Sequence, residues 1–466
     1  MPSSQETSSP FELMTGRNAL RSLALAGGVA LHAINVYVVT TIMPTIVHSI
    51  GGLAYYAWST TLFVVASILG SALSYRLIDR MGPRRAYLGA LALFCLGSLV
   101  CATAPAMWWL LAGRTVQGLA GGVLLALSYA LIRMVYESRL WPRALAFVSA
   151  MWGVATLSGP ALGGLFASLG WWRPAFLSLL PVAAALAAIV YRLVPATAPA
   201  SSSAAGVPWG KLALLACSVM VVSVGSLSHE LVWNAAGVAV GLALVAGMGR
   251  LDVKASSRLM PTGAYSTRTV LGACYLTMAV LIIGLTSEIF VPYFLQTLHG
   301  QTPLVAGYLT AVMAGGWTLA SLMFSGSTGE AVVRLVRGGP VATTVGLAAL
   351  AVLVPYGESG DVAFAALCLA LAGVGFGIGM CWSHLVTRVF RSAPAGQENL
   401  ASGAVTTLQL YAIALGSAVA GMVANAAGLA DPGGIDGART AAAWLFGLFA
   451  LAPAVAIWSA RGAMRG

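Results

Sequence analysis

Apolar residues recur along this chain in blocks of roughly twenty, parted by short polar or basic breaks. That is the length a helix needs to cross a bilayer core at about 1.5 Å per residue. Fourteen such blocks lie near 19–41, 54–77, 86–104, 107–133, 143–168, 172–194, 210–228, 231–250, 269–296, 303–326, 340–356, 361–387, 399–427 and 439–461. Only Ser228, His229 and Glu230 part the seventh from the eighth. The pattern predicts an all-α polytopic membrane protein with 14 transmembrane helices. Of the residues, 59% are hydrophobic and 8% charged. That is too few charges to cover a soluble globule and too apolar for a disordered chain. The six cysteines, Cys95, Cys101, Cys217, Cys274, Cys368 and Cys381, fall inside apolar blocks. They read as small packing residues, with no disulfide framework among them.

A net charge of +11 would suggest a nucleic-acid partner in a soluble protein. In a membrane protein, charge is read by position, because cytoplasmic loops collect Lys and Arg. With fourteen spans, 21 of the 24 basic residues fall on one side, among them Arg76, Arg80, Arg84, Arg85, Arg250, Lys254, Arg258, Arg334 and Arg337. Arg173 and Arg439 sit near the other face, and Arg114 lies inside a span. This places both termini in the cytoplasm of an inner or plasma membrane and leaves no role for nucleic acid. The expected organisation is a tail at 1–18, a six-helix bundle at 19–194 and a linker at 195–209. Two inserted helices at 210–250, a basic loop at 251–268, a second six-helix bundle at 269–461 and a tail at 462–466 follow. Residues 1–18 lack the basic start and cleavage site of a signal peptide, so the first span reads as uncleaved. No stretch outside the membrane is long enough to hold an enzyme, and the five histidines are scattered without metal-ligand spacing. The expectation is a non-enzyme without cofactor or metal.

The two bundles should resemble each other weakly, as transporter repeats do. Arg76-Leu77-Ile78-Asp79-Arg80-Met81-Gly82-Pro83 after the second span is echoed by Val333-Arg334-Leu335-Val336-Arg337-Gly338-Gly339-Pro340. Arg80 matches Arg337, Gly82 matches Gly339, and Pro83 matches Pro340. Glycine, at 54 residues, suits membrane helices that associate through close packing of small residues.

Three segments carry a resemblance. Leu77, Asp79, Arg80, Gly82, Pro83, Arg84 and Arg85 form an acid-and-base turn between the second and third spans. Arg114, Gln117, Gly118, Gly121 and Gly122 lie in the fourth. Gly153, Gly159, Pro160, Gly163 and Gly164 lie in the fifth, where Pro160 removes a backbone donor. Together they resemble the major facilitator superfamily, in its fourteen-helix drug:proton antiporter branch. Pro292, Tyr293, Gln296, Gly300 and Pro303 resemble its ninth and tenth helices, and Ala401, Ser402, Gly403 and Gln409 its thirteenth. The resemblance implies a cytoplasmic gating loop at Asp79, Arg80, Gly82, Arg84 and Arg85, whose charges pair when the inner face closes. It implies proton coupling at Arg114 and an antiporter signature at 153–164. Tyr75 stands where the family usually has glycine. In the first-helix motif, His32 to Pro44, Asn35 replaces a common aspartate and Thr40 an asparagine.

Of thirteen carboxylates, Glu288 is the one expected well inside a span, where low dielectric suits a group that takes up and releases a proton. Glu288 lies roughly 12 Å from the outer end of its span, Arg114 roughly 10 Å and Asn35 roughly 9 Å, at about 1.5 Å per residue. The three therefore share a layer and are expected to form a polar cluster. Glu288, Arg114 and Asp79 are the candidates for proton coupling. Asn35, Tyr37, Gln117, Trp152, Tyr293 and Gln409 are candidates for the substrate cavity. Trp108, Trp109, Trp171 and Trp172 read as an interfacial belt. The expected activity is proton-driven export of amphipathic small molecules by a monomer. The alternatives are a dedicated metabolite exporter, an uptake symporter, and a non-transporting scaffold or sensor.

Overall fold

The computed structural model describes residues 16–465 apart from 138–139, 195, 197–207, 229, 256 and 357–359. The chain forms fourteen successive helical rods: α1 (Gly16–Ile50), α2 (Trp58–Met81), α3 (Pro83–Ala102), α4 (Met107–Val135), α5 (Trp141–Ser168), α6 (Trp172–Leu193) and α7 (Trp209–Gly225). They continue with α8 (Leu231–Lys254), α9 (Val270–His299), α10 (Pro303–Phe324), α11 (Glu330–Tyr356), α12 (Asp361–Arg391), α13 (Glu398–Ala426) and α14 (Gly434–Ala463). Thirteen are long and apolar enough to cross a membrane, and α7 is shorter at 17 residues. The expected tail 1–18 lies outside the described residues up to 15, and α1 already begins at Gly16. Most of the expected 195–209 linker also lies outside them.

Three rods are interrupted. α6 breaks at Ser178 and α14 at Ala450. α9 passes through a 3-10 segment, Thr286–Phe290. There Thr286 Oγ1 and Ser287 Oγ donate back to the carbonyls of Ile283 (2.6 Å) and Gly284 (3.0 Å), and Pro292 follows. Gly284, Pro292 and the two hydroxyls are the local causes, since each weakens the regular hydrogen-bond ladder.

Within each half the same pairs of rods pack. α2 lies on α4, α3 on α4 and α1 on α5, and α10 on α12, α11 on α12 and α9 on α13. The halves meet along two seams, α5 against α10 and α2 against α13, which are equivalent when one half is laid on the other. A second matched device closes each bundle. Arg173, at the start of α6, donates to Ala104 O beyond α3 (3.0 Å), and Arg439, at the start of α14, donates to Pro355 O in α11 (3.1 Å). These are the two arginines on the otherwise base-poor face, and orphan helix-end carbonyls explain both.

The hairpin α7–α8 packs mainly on α13, through α7. Ser218 and Tyr411 hydroxyls meet at 2.9 Å, and Asn425 Nδ2 donates to Ser226 O (3.1 Å). At its other end Asp252, expected in a loop, lies in the last turn of α8 and is fully buried. It accepts from Lys211 Nζ (2.7 Å), the amides of Leu259 (2.7 Å) and Met260 (3.0 Å), and Tyr265 Oη (2.9 Å). Burial first, and the facing Asp252 second, hold the Tyr265 phenol well above its usual range, so it remains a donor. Thr262 in the same loop exchanges hydrogen bonds with Gln397 before α13 (2.8 and 3.0 Å).

The apolar core is divided unevenly. On the face away from the termini one cluster spans both halves, running from Val38, Ile42 and Tyr56 to Phe290, Phe294 and Phe446. Toward the basic face there are two separate clusters, one within α1–α6 and one within the second half and its leading loop, and a smaller one links α2, α7 and α13 from Phe63 and Ile68 to Leu212, Leu410 and Ala418. The halves are therefore joined by a broad core on one side and parted toward the other except along α2, α7 and α13.

Candidate functional site

Arg114 projects from the third turn of α4 and is 2% exposed. Its Nη1 donates to Gln117 Oε1 one turn along the helix (2.9 Å), its Nε to Ser59 O on α2 (3.4 Å), and its guanidinium lies 4.1 Å from the Phe63 ring centroid. Gln117, 0% exposed, donates from Nε2 to Ser98 Oγ on α3 (2.8 Å). Cys101 Sγ lies within donor range of the same Gln117 oxygen (3.6 Å) and of Leu110 O (3.7 Å), its one proton serving one of them at a time. These neutral acceptors hold a buried cation that has no carboxylate partner among the described residues, an arrangement kept in membrane proteins where the charge is used. Beside it, His32 Nδ1 and Ser59 Oγ are buried without hydrogen-bond partners, as are Asn35 Nδ2 and Oδ1 of α1. The His32 ring lies 5.2 Å from Phe63 and 6.1 Å, edge-on, from Trp152.

Glu288 stands at the 3-10 break of α9, half-buried. It makes no hydrogen bond or ion pair with any described residue. Tyr37 of α1 is within electrostatic reach of it, which sets it at the seam between the halves. The expected cluster of Arg114, Glu288 and Asn35 therefore does not assemble. Gln117 and Ser59 satisfy the guanidinium inside the first bundle, and α1 packs on both α4 and α9. Depth arithmetic placed the three in one layer but could not say which face of each helix they occupy.

The other expected residues divide in the same way. Tyr37, Trp152 (37% exposed) and Gln409 are partly open, on α1, α5 and α13. Asn35 and Gln117 are enclosed within the first bundle, so neither lines an open cavity in this state. Tyr293 belongs to the closure of the joined face. Tyr56 stacks on Phe290 (4.8 Å) and meets Tyr293 edge-on (5.7 Å), and Phe290 stacks on Phe294 (5.9 Å). Trp172, expected in an interfacial belt, is buried beneath Arg173 at 4.3 Å.

Pro160 and its glycines make the α1–α5–α10 crossing. A Cβ on Gly159 would lie 2.4 Å from Tyr37 Cβ, one on Gly163 2.9 Å from Val38 O, and one on Gly164 2.6 Å from Leu304 Cα. Gly307 of α10 brings Thr41 and Pro160 together in the same way. Gly153 has nothing within 4 Å and takes no part in that contact. In the basic turn, Gly82 has φ 78°, a left-handed conformation that ends α2 and lets Pro83 open α3. Asp79, Arg80 and Arg85 are exposed, and Asp79 has no ion pair among the described residues. Arg84 donates from Nε to Val194 O at the end of α6 (2.8 Å). The echo of this turn in the second half is helical instead, because α11 starts at Glu330 and runs through Gly339 and Pro340.

Ser59, Phe63, Ser98 and Cys101 around Arg114, and the Lys211–Asp252 pair, were not foreseen. Each is a single polar or small residue in an apolar block, and nothing in local pattern marks the neighbour it meets.

Two six-helix halves built on one packing scheme, a buried arginine in one and an unpartnered acid at a helix break in the other, define a secondary-transporter architecture. The chain belongs to the Major Facilitator Superfamily, whose profile matches residues 25–417. A probable multidrug-efflux transporter of Mycobacterium tuberculosis (strain ATCC 25618 / H37Rv) is 38% identical over 434 residues, 91% of each chain. Among solved structures, a bacterial homolog of the human lysosomal transporter Spinster, inward-facing and unoccupied, aligns with TM-score 0.67 at 15% identity. That alignment covers 96% of this chain and 97% of the other. A D-xylose-proton symporter aligns with TM-score 0.66 at 15% identity, covering 96% and 99%. The chain is thus a multi-pass membrane transporter, and the lipid bilayer is its medium.

Proposed function

We propose that this transporter is a proton-driven antiporter that exports amphipathic small molecules, drugs or antibiotics among them, by alternating access. The name borne by its 38% identical relative supports the substrate class. In this reading it works as a monomer in the cell membrane, without a cofactor, with both termini and the basic face in the cytoplasm. The parted side then faces inward, and the unpaired Asp79 turn is that of an open inner gate. The observation that carries the coupling is Glu288, a carboxylate between the halves with no hydrogen-bond or ion-pair partner among the described residues, at the 3-10 break of α9. A proton arriving from outside neutralises Glu288 and lets it enter an apolar seam. Its release to the cytoplasm leaves a charge that favours reopening. One inward proton yields about 2.3 kcal/mol per 100 mV, enough for roughly a fiftyfold substrate gradient.

The test is growth inhibition in a host stripped of its own pumps, comparing the protein with Glu288→Gln at matched membrane expression. Protection against several unrelated compounds, lost in the variant, is the expected result. Protection that survives Glu288→Gln removes Glu288 as the proton carrier. Protection against nothing shifts the reading to a dedicated metabolite exporter.

A further inference from the structure

We propose that Ser98 is a positioning residue for Arg114, acting through Gln117. The Ser98 hydroxyl donates to Phe94 O on its own helix (2.9 Å). With its one proton committed, its oxygen can only accept, and it accepts from Gln117 Nε2 (2.8 Å). The amide end of Gln117 is thereby anchored to α3, and the carbonyl end is turned toward α4. There one oxygen receives Arg114 Nη1 (2.9 Å) and lies within reach of Cys101 Sγ (3.6 Å), whose other acceptor is Leu110 O (3.7 Å). All four side chains are buried, so water offers no substitute partner. A missing acceptor leaves a buried amide unsatisfied. Without Ser98 the freed Gln117 amide swings toward another acceptor and takes its oxygen off the guanidinium.

The chain of contacts ties α3 to α4 and aims Arg114 at Phe63 and the Ser59 carbonyl of α2. The titratable groups facing Arg114 are His32 of α1 and Cys101 of α3, and α2 contributes only the uncharged Ser59 and Phe63. In the second half Gly346 packs on Val374 as Gly97 packs on Gln117, so the matching positions are Leu347 for Ser98, Leu371 for Arg114 and Val374 for Gln117, and nothing there could substitute. The functional consequence rests on Arg114 serving proton coupling, as proposed above.

The test uses the full chain in detergent and in cells. The infrared S–H band of Cys101, isolated by subtraction of Cys101→Ala, reports whether the Gln117 oxygen is still in place. Ser98→Ala changes that band, because the thiol is left with Leu110 O as its acceptor, and Ser98→Thr, which keeps the hydroxyl, leaves it. In cells, ethidium efflux followed against external pH falls about tenfold in Ser98→Ala, equivalent to ~1.4 kcal/mol, with a shifted pH profile restored by Ser98→Thr. In a Gln117→Leu background, whose side chain has neither an amide to anchor nor an oxygen to aim, Ser98→Ala has no further effect on the Cys101 band. An unmoved Cys101 band in Ser98→Ala overturns the proposal, as does a moved band with an unchanged pH profile. Failure of the antiport reading is distinguishable from both: the wild-type chain then exports no ethidium, while the infrared comparison still decides the positioning.

Discussion

The fourth helix of each half shows what the two halves share and where they part. The register that sets Gly82 against Gly339 also sets Gly118 against Gly375 and Gly122 against Gly379. Both glycine pairs make the same kind of crossing. A Cβ on Gly118 would come within 2.1 Å of Phe63 O, and one on Gly375 within 1.7 Å of Met313 O. Gly122 and Gly379 repeat this one turn on, against Ser67 O (2.1 Å) and Trp317 O (2.2 Å). Between the glycines the likeness ends. Arg114 and Gln117 of α4 correspond to Leu371 and Val374 of α12, both wholly buried in apolar surroundings. One scaffold is thus used twice, once around a hydrogen-bonded cation and once around a plain core. The acid is in the second half, on a different helix, at a break for which continuous α1 has no counterpart. Close helix crossing is a condition of the fold, and the charge is not, so only the former had to be kept in both halves.

Exchanging the character of the two helices gives the largest expected effect. Leu371→Arg puts an unpartnered charge into an apolar core and should cost about 3 kcal/mol, read as lost folded yield and a lower melting temperature in detergent. Arg114→Leu should leave melting nearly unchanged while abolishing efflux. Equal destabilisation by the two would mean that Arg114 is structural and erase the contrast. Next, Gly118→Ala and Gly375→Ala should each cost about 1–3 kcal/mol by overpacking against fixed backbone, and by similar amounts. A tolerant Gly375 would break the equivalence of the two crossings. A smaller effect is expected at the joined face. Tyr56→Ala removes aromatic contacts with Phe290 and Tyr293, about 0.5–1.5 kcal/mol beyond burial. It should shift the population toward the opposite-facing state, read by labelling of a cysteine placed in that closure. Smallest is Tyr411→Phe, which frees Ser218 at about 1 kcal/mol. A disulfide between α7 and α13 should leave transport intact, and one between α7 and α2 should stop it, because the hairpin is hydrogen-bonded to the second half. The reverse result would assign the hairpin to the first half.

Legibility differed from helix to helix. The spans, the basic face and the glycine crossings follow from runs of apolar residues, since a bilayer demands length and internally satisfied backbone. The repeat was visible at Arg80, Gly82 and Pro83, but its shape was not. Gly82 makes a left-handed turn, whereas Gly339 sits inside a helix, since α11 began nine residues earlier at Glu330. Arg114 and Glu288 could be named from sequence because a charge in an apolar run is rare. That they stand apart could not be read, because a helix carries its residues to every side and only packing chooses which side meets what.

Amino-acid order by itself determined that this protein is a bundle of membrane-length helices, where those helices lie, which face is basic and which few residues are costly enough to matter. Those properties depend on one residue and its near neighbours along the chain. Tertiary structure alone decided that Gln117, Ser98 and Cys101 gather around Arg114, that Asn35 is sealed in, that Glu288 is left without a partner among the described residues and that the halves share their broad core on one side. Each of these is set by contacts between residues distant in sequence, where a rotation of one helix exchanges a partner for lipid or for empty space.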